Sequence, residues 1–116
     1  MKGLNKVFVI GNLGKDPETR FTSAGKAICN FSIAVAEQWK DKSGEKQEKT
    51  EWIQIAAFGK LADICEEYLK KGSRVHVEGK LQTNKWADRQ NVTHYTTQVV
   101  ISEMIMLGTK EEREDD

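Results

Sequence analysis

From Cys29 to Ala36 the side chains alternate without a break. Cys29, Phe31, Ile33 and Val35 fall on one face, and Asn30, Ser32, Ala34 and Ala36 on the other. A period of two is that of a strand with one face buried, and it is incompatible with an amphipathic helix. The same period recurs along the chain. VFVIGNL at 7–13 reads as a first strand, closed by Gly14 and by Asp16-Pro17, since proline supplies no ladder donor. Thr50–Phe58 reads as a third strand. After it, Val75, Val77 and Leu81 alternate with His76, Glu78, Lys80 and Gln82, and the polar parity runs on through Asn84 to Trp86. A turn over Ala87–Asn91 leads to a last strand around Tyr95–Ile101 and a short segment at 104–107. Only one stretch has a helical period: Leu61, Ile64, Cys65 and Tyr68 fall at i, i+3, i+4 and i+7, which predicts a helix from about Lys60 to Lys71, stopped by Gly72.

The predicted order is three strands, one helix, two strands. An all-β chain of this order fits the OB-fold, a five-stranded Greek-key barrel with one α-helix between strands 3 and 4, whose outer face binds oligonucleotides or oligosaccharides. A length of 116 residues suits one compact domain. The opening MKGLNKVFVIGNLGK has only a short apolar run and no small-residue cleavage site, so neither a signal peptide nor a membrane span is expected and the chain is placed in the cytoplasm. Cys29 and Cys65 lie inside apolar patterns without metal-ligand spacing, which points to buried reduced thiols rather than to a disulfide or metal centre.

The formal net charge is zero, but it is unevenly spread. Residues 1–107 carry 16 Lys and Arg against 13 Asp and Glu, a balance of +3, whereas residues 108–116, GTKEEREDD, carry 2 against 5, a balance of −3. A mildly basic body over 1–107 is thus followed by a short acidic tail over 108–116 that is expected to be disordered.

The stretch AEQWKDKSGEKQEKTEWIQIAAF, residues 36–58, sets two tryptophans on either side of Lys40, Lys42, Lys46 and Lys49. In its second half Ile53, Ile55 and Ala57 share one face while Trp52, Gln54, Ala56 and Phe58 share the other. The aliphatic set is the better core, because a buried Gln54 would need partners for its whole amide. Trp52 and Phe58 are therefore expected on an outward or groove-facing surface. Trp86 likewise shares a face with polar neighbours, and all four aromatics, Trp39 included, are expected at a mutually consistent parity beside lysines. Stacking on such rings and Lys–phosphate contacts together suit a single strand of nucleic acid, read without regard to sequence.

Other chemistries find no support in the pattern. Asp16 and Glu18 flank Pro17 in what reads as an ordinary turn. His76 and His94 have no third ligand nearby and are read as exposed or locally satisfied. GNLGK lacks the spacing of a phosphate-cradling loop, so no nucleotide hydrolysis, catalytic site, metal or cofactor is expected.

GNLGKDPE at 11–18, AEQWKDK at 36–42, TEWIQIAAFGKLA at 50–62, EYLKKGS at 67–73, VEGKLQTNKW at 77–86 and YTTQVV at 95–100 together resemble the bacterial single-stranded DNA-binding proteins, in one unbroken order over about residues 4–107. The resemblance implies a non-enzymatic protein that binds single-stranded DNA in replication, recombination and repair, associated with the nucleoid and assembled as a homotetramer. It implies base stacking by Trp39, Trp52, Phe58 and Trp86, and basic groove positions at Lys42, Lys60, Lys71 and Lys85; Lys40 and Lys80 join these as lysines adjacent to the platforms. Gln54, Gln82 and Asn84 stand where relatives often carry arginine, which implies fewer neutralised phosphates. The acidic run lacks the linker and hydrophobic tip through which the family docks protein partners, so it is expected to compete for the groove rather than to recruit them. An OB-fold module for binding another protein, or a nuclease, would have lost the platforms or gained clustered carboxylates; the sequence does neither.

Overall fold

The computed structural model describes residues 2–109. Six strands and one helix follow in the order β1 (Val7–Leu13), β2 (Glu18–Phe21), β3 (Ala27–Lys40), β4 (Lys46–Phe58), α1 (Lys60–Tyr68), β5 (Ser73–Ala87) and β6 (Thr93–Thr109). The sheet runs β1-β5-β6-β4-β3-β2, and a further antiparallel pairing of β1 with β3, Asn12 to Ala34 and Leu13 to Ile33, closes it into a barrel. Five strands make that barrel, as the sequence predicts, and the helix connects the same two strands. The added strand is β2, four residues laid on the edge of β3 beyond the point where β1 leaves it. With β2 counted, the helix falls between the fourth and fifth strands.

The predicted inward parity is the observed one. Cys29, Phe31 and Ile33 of β3 meet Ala57, Ile55 and Ile53 of β4 across the register. With Val9, Leu13, Val75, Val77, Val99 and Ile101 they form the core. Ala62, Cys65 and Leu69 bring α1 and its C-terminal residue into it. The helix ends at Tyr68, three residues short of the predicted end: Leu69 is extended, and its N–H donates to the Cys65 carbonyl. Both thiols are buried and free, and burial pushes Cys65 up to about 12. Among the described residues no helix is long and apolar enough to cross a membrane.

Two glycines permit the tight curvature of closure. A Cβ on Gly11 would overlap the Ala34 carbonyl oxygen and lie 2.6 Å from Ile33 Cγ2. One on Gly79 would overlap the Val100 carbonyl and lie 2.7 Å from Ile101 Cα, beside the bulge at which Ser102 interrupts the β5–β6 register. Close approach of two backbones at a bulge is a place where only glycine fits.

β4 and β6 pair in parallel for two residues only, Ile55 with Val99 and Ala56 with Val100. Upstream of that contact each strand continues into a hairpin with its other neighbour, β4 with β3 and β6 with β5. Because β4 and β6 are parallel, both hairpin tips lie toward the same end of the barrel. A cleft of about 320 Å³ opens between the ribbons, lined by Trp52, Gln54, Leu81, Thr97 and Gln98 among others. Each tip is tied by an aspartate. Asp41 Oδ1 accepts from the Ser43 and Glu45 N–H groups at 3.0 Å, and Asp88 Oδ1 from those of Gln90 and Val92 at 2.9 Å.

Candidate nucleic-acid interface

Three of the four predicted platforms share one face of the sheet. In β4, Trp52 and Phe58 have the parity of Ala56, which pairs with Val100. In β6, Val100 has the parity of Gln98, Thr96 and His94, and His94 lies directly opposite Trp86. Paired residues point to the same side, so Trp52, Phe58 and Trp86 all project outward from the barrel. The surface between them carries Gln54, Gln82, Asn84, Thr96 and Gln98, with Lys80 on the same face by register, so it is sparsely charged and rich in hydrogen-bonding groups.

Trp39 departs from that parity. It pairs with Gln47, an odd number of residues from Ala34, which faces Trp52. A shift of one residue reverses the face, and Trp39 therefore stands on the side of Val35 and Ile33. It is nevertheless 47% exposed, against 56% for Trp52 and 50% for Trp86, because β3 has by then run beyond the barrel and neither face of the ribbon meets a core.

Each outward ring has a neighbour against it. Trp52 lies over Gly14: a Cβ there would overlap Cζ3 and sit 2.7 Å from Cη2. The small Ala34 opposite leaves the indole room, and Gly14, Lys15, Ser32, Trp52 and Gln54 line a cleft of about 250 Å³. Ser32 Oγ donates to Gln54 Oε1 at 3.1 Å, holding that amide beside the ring. The Lys26 ammonium is 5.7 Å from the centroid of Phe58. Trp86 stacks on His94 with centroids 4.7 Å apart, and its Nε1–H donates to Thr96 Oγ1 at 3.0 Å.

The predicted lysines are all exposed, and among the described residues none of Lys40, Lys42, Lys60, Lys71, Lys80 and Lys85 is ion-paired. Their distribution is uneven. Lys40 and Lys80 have the parity of the platform face, whereas Lys85 takes the reverse face of its ribbon from Trp86. Lys42 is in the β3–β4 turn, and Lys60 opens α1 two residues after Phe58. Lys71 lies at the far end of the helix, where its N–H donates to Asp16 Oδ1 at 2.8 Å. That bond gives Asp16 a structural task, in keeping with the turn read from the sequence.

The sequence pattern does not single out Lys15 and Lys26, although Lys15 lines the cleft with Trp52 and Lys26 lies beside Phe58. The usable signal was adjacency to a glycine turn, at Gly14 and Gly25, that brings a lysine back over the outer face. His94 has a second partner in Asp88, whose carboxyl it holds below the ordinary range through a 2.7 Å hydrogen bond. No group of three His, Cys, Asp or Glu side chains among the described residues is placed to hold a metal ion.

The contact of Trp52 with Gly14 predicts a separation of binding from stability. In Gly14→Ala the atoms that must move are the far end of the indole, not the backbone. Stability is expected to change little while affinity for a single strand falls and the Trp52 emission shifts. Thermal melts and fluorescence check this, and a large loss of stability with normal affinity would be the opposite result.

The family model described as "Single-strand binding protein family" matches residues 4–107. The Single-stranded DNA-binding protein 1 of Chlorobaculum tepidum is 52% identical over 111 residues, covering 95% of this chain and 68% of the relative. A solved structure titled "Plasmodium falciparum SSB complex with ssDNA" superimposes with a TM-score of 0.84 at 33% identity, covering 92% of this chain and 97% of that one. With its barrel, its helix and the match over 4–107, the chain belongs to the single-strand binding protein family.

Proposed function

We propose that the protein binds single-stranded DNA without sequence preference, stacking bases on Trp52, Phe58 and Trp86, with Trp39 engaging the strand from the other side of the β3–β4 ribbon. The observation that carries this reading is the common outward face of the three rings on two hairpins that project the same way. Stacking contributes ~1–3 kcal/mol per base and is indifferent to base identity. Lys40, Lys42, Lys60, Lys71, Lys80 and Lys85 supply phosphate contacts, with Lys15 and Lys26 nearest the rings. The protein does no chemistry on the strand and needs no cofactor; it covers and straightens DNA for replication, recombination and repair, at the nucleoid in the cytoplasm.

Self-association, with a homotetramer as the expected state, has its own support. Phe8, Ile10 and Ile105 are exposed on one outer face of β1, β5 and β6, away from the platforms, where Phe8 stacks on His76 at 6.2 Å. Exposed apolar groups gathered on one sheet face favour a second copy of the chain.

We read residues 1–107 as the binding domain and 108–116 as an acidic segment that competes with DNA and does not recruit partners. Gly108 and Thr109 complete β6, and residues 110–116 lie outside the described residues. Binding is expected to weaken with salt at a log–log slope of about −0.7 per phosphate neutralised, and the sparsely charged surface between the rings keeps that slope shallow. Salt-independent affinity would remove the lysines from the interface. Deleting residues 110–116 is expected to tighten binding at low salt and to matter less as salt screens the charge. Equal affinities at low salt would refute that competition.

A further inference from the structure

Trp86 is half exposed on a two-stranded ribbon that lies outside the barrel, where an indole would ordinarily sample several rotamers and offer both faces to a ligand. Here both freedoms are opposed by contacts. The β5–β6 register sets His94 directly across from it, and the two rings stack with an interplanar angle of 24°. The indole N–H is held by Thr96, the next residue of the same parity on β6. His94 is itself anchored from the turn: its Nε2 lies 2.7 Å from Asp88 Oδ2, while Asp88 Oδ1 is fixed by the N–H groups of Gln90 and Val92. In neutral His94 this arrangement places the proton on Nε2, donating to the carboxylate.

We propose that His94 is a positioning residue for Trp86: it covers one face of the indole, so that the ring presents a single, pre-oriented face to one DNA base. The inference rests on the reading of Trp86 as a stacking platform. Turn, carboxylate, imidazole and indole form one connected series, so the ordering of the turn is passed to the ring before DNA arrives. The rotamer freedom that a stacking side chain loses on binding is thereby lost on folding. Asp88 is the charged group bonded to His94. Lys85 and Tyr95 take the opposite face of the ribbon by register, and Arg89 in the turn makes no ion pair among the described residues.

The test follows the indole N–H resonances of the intact protein by NMR at a single pH, free and with added oligothymidylate. The Trp86 signal is identified by its loss in Trp86→Phe. In His94→Ala it is expected to move, because the stacked ring is gone, while the Trp52 signal stays still, and affinity for oligothymidylate falls about two- to fivefold, the effect of losing one aromatic contact. In His94→Phe affinity is kept, because an aromatic ring still backs the indole. A Trp86 signal unmoved by His94→Ala, or wild-type affinity in that variant, would overturn the proposal. A Trp86 signal that moves in His94→Ala but is untouched by added oligothymidylate in the wild type would instead overturn the stacking reading of Trp86, leaving the His94 contact in place.

Discussion

Replacing both Trp52 and Trp86 by alanine is expected to weaken binding to oligothymidylate by ~2–6 kcal/mol, because on the proposed reading each ring contributes ~1–3 kcal/mol of stacking. The two sit on different hairpins, on either side of the cleft between the ribbons, and share no backing residue, so their single losses should roughly add. The fold should survive, since both side chains are more than a third exposed and neither belongs to the core. Affinity measured for the two single variants and the double variant, alongside thermal melts of each, checks this. Unfolding in either single variant, with normal binding by the folded fraction, would mean that the tryptophan is a structural residue. A loss for one base sequence and not another would point to readout of base identity.

Ile55→Ala should do the opposite. Ile55 is 1% exposed, faces Phe31 across the β3–β4 register, and is paired with Val99 at the short parallel contact between β4 and β6. Truncating a buried isoleucine removes apolar contact and leaves a cavity, a loss of about 2–5 kcal/mol in stability. Its place is where the two hairpins meet, so the barrel has little freedom to collapse around the void. Yet the side chain points away from the face that carries Trp52 and Gln54, and the affinity of folded molecules is expected to stay close to wild type. Denaturant unfolding followed by titration under folding conditions measures the two quantities. A binding defect without a stability defect would reverse the assignment of the two faces of β4.

The same strand shows why much of the fold could be read from the sequence. Between Thr50 and Phe58 one face is aliphatic and the other mixes rings with a glutamine, and that imbalance sorts the two sides whatever the rest of the chain does. The helix was readable for a similar reason, although not its last turn: Leu69 fits the apolar pattern, but it reaches the core as extended chain. β2 gave no comparable signal, because Glu-Thr-Arg-Phe is an edge strand with little buried surface and no apolar alternation.

The hairpin arms were harder. β3 continues to Lys40 and β4 begins at Lys46, well into the charged stretch, because cross-strand hydrogen bonds and pairs such as Glu37 with Lys49 can sustain a ribbon that has no core beneath it. With no core, exposure no longer depends on parity. Trp39 can therefore be exposed on the face opposite Trp52, and reasoning from burial alone could not separate the two. The supports beneath the rings depend on the closed barrel: Gly14 beneath Trp52 and Lys26 beside Phe58 are contacts between residues more than thirty apart. Only the Trp86–His94 stack was within local reach, since counting outward from a turn at 88–92 places the two opposite each other.

The most direct test of stacking is to titrate the protein with oligothymidylate and, separately, with an abasic strand of the same length and phosphate count, following tryptophan fluorescence. Stacked indoles are quenched, so a strong, saturable quench with oligothymidylate and a much weaker one with the abasic strand is the expected result. Equal responses to both strands, or an unchanged spectrum while the oligothymidylate binds, would show that the outward aromatic face is not where the bases rest.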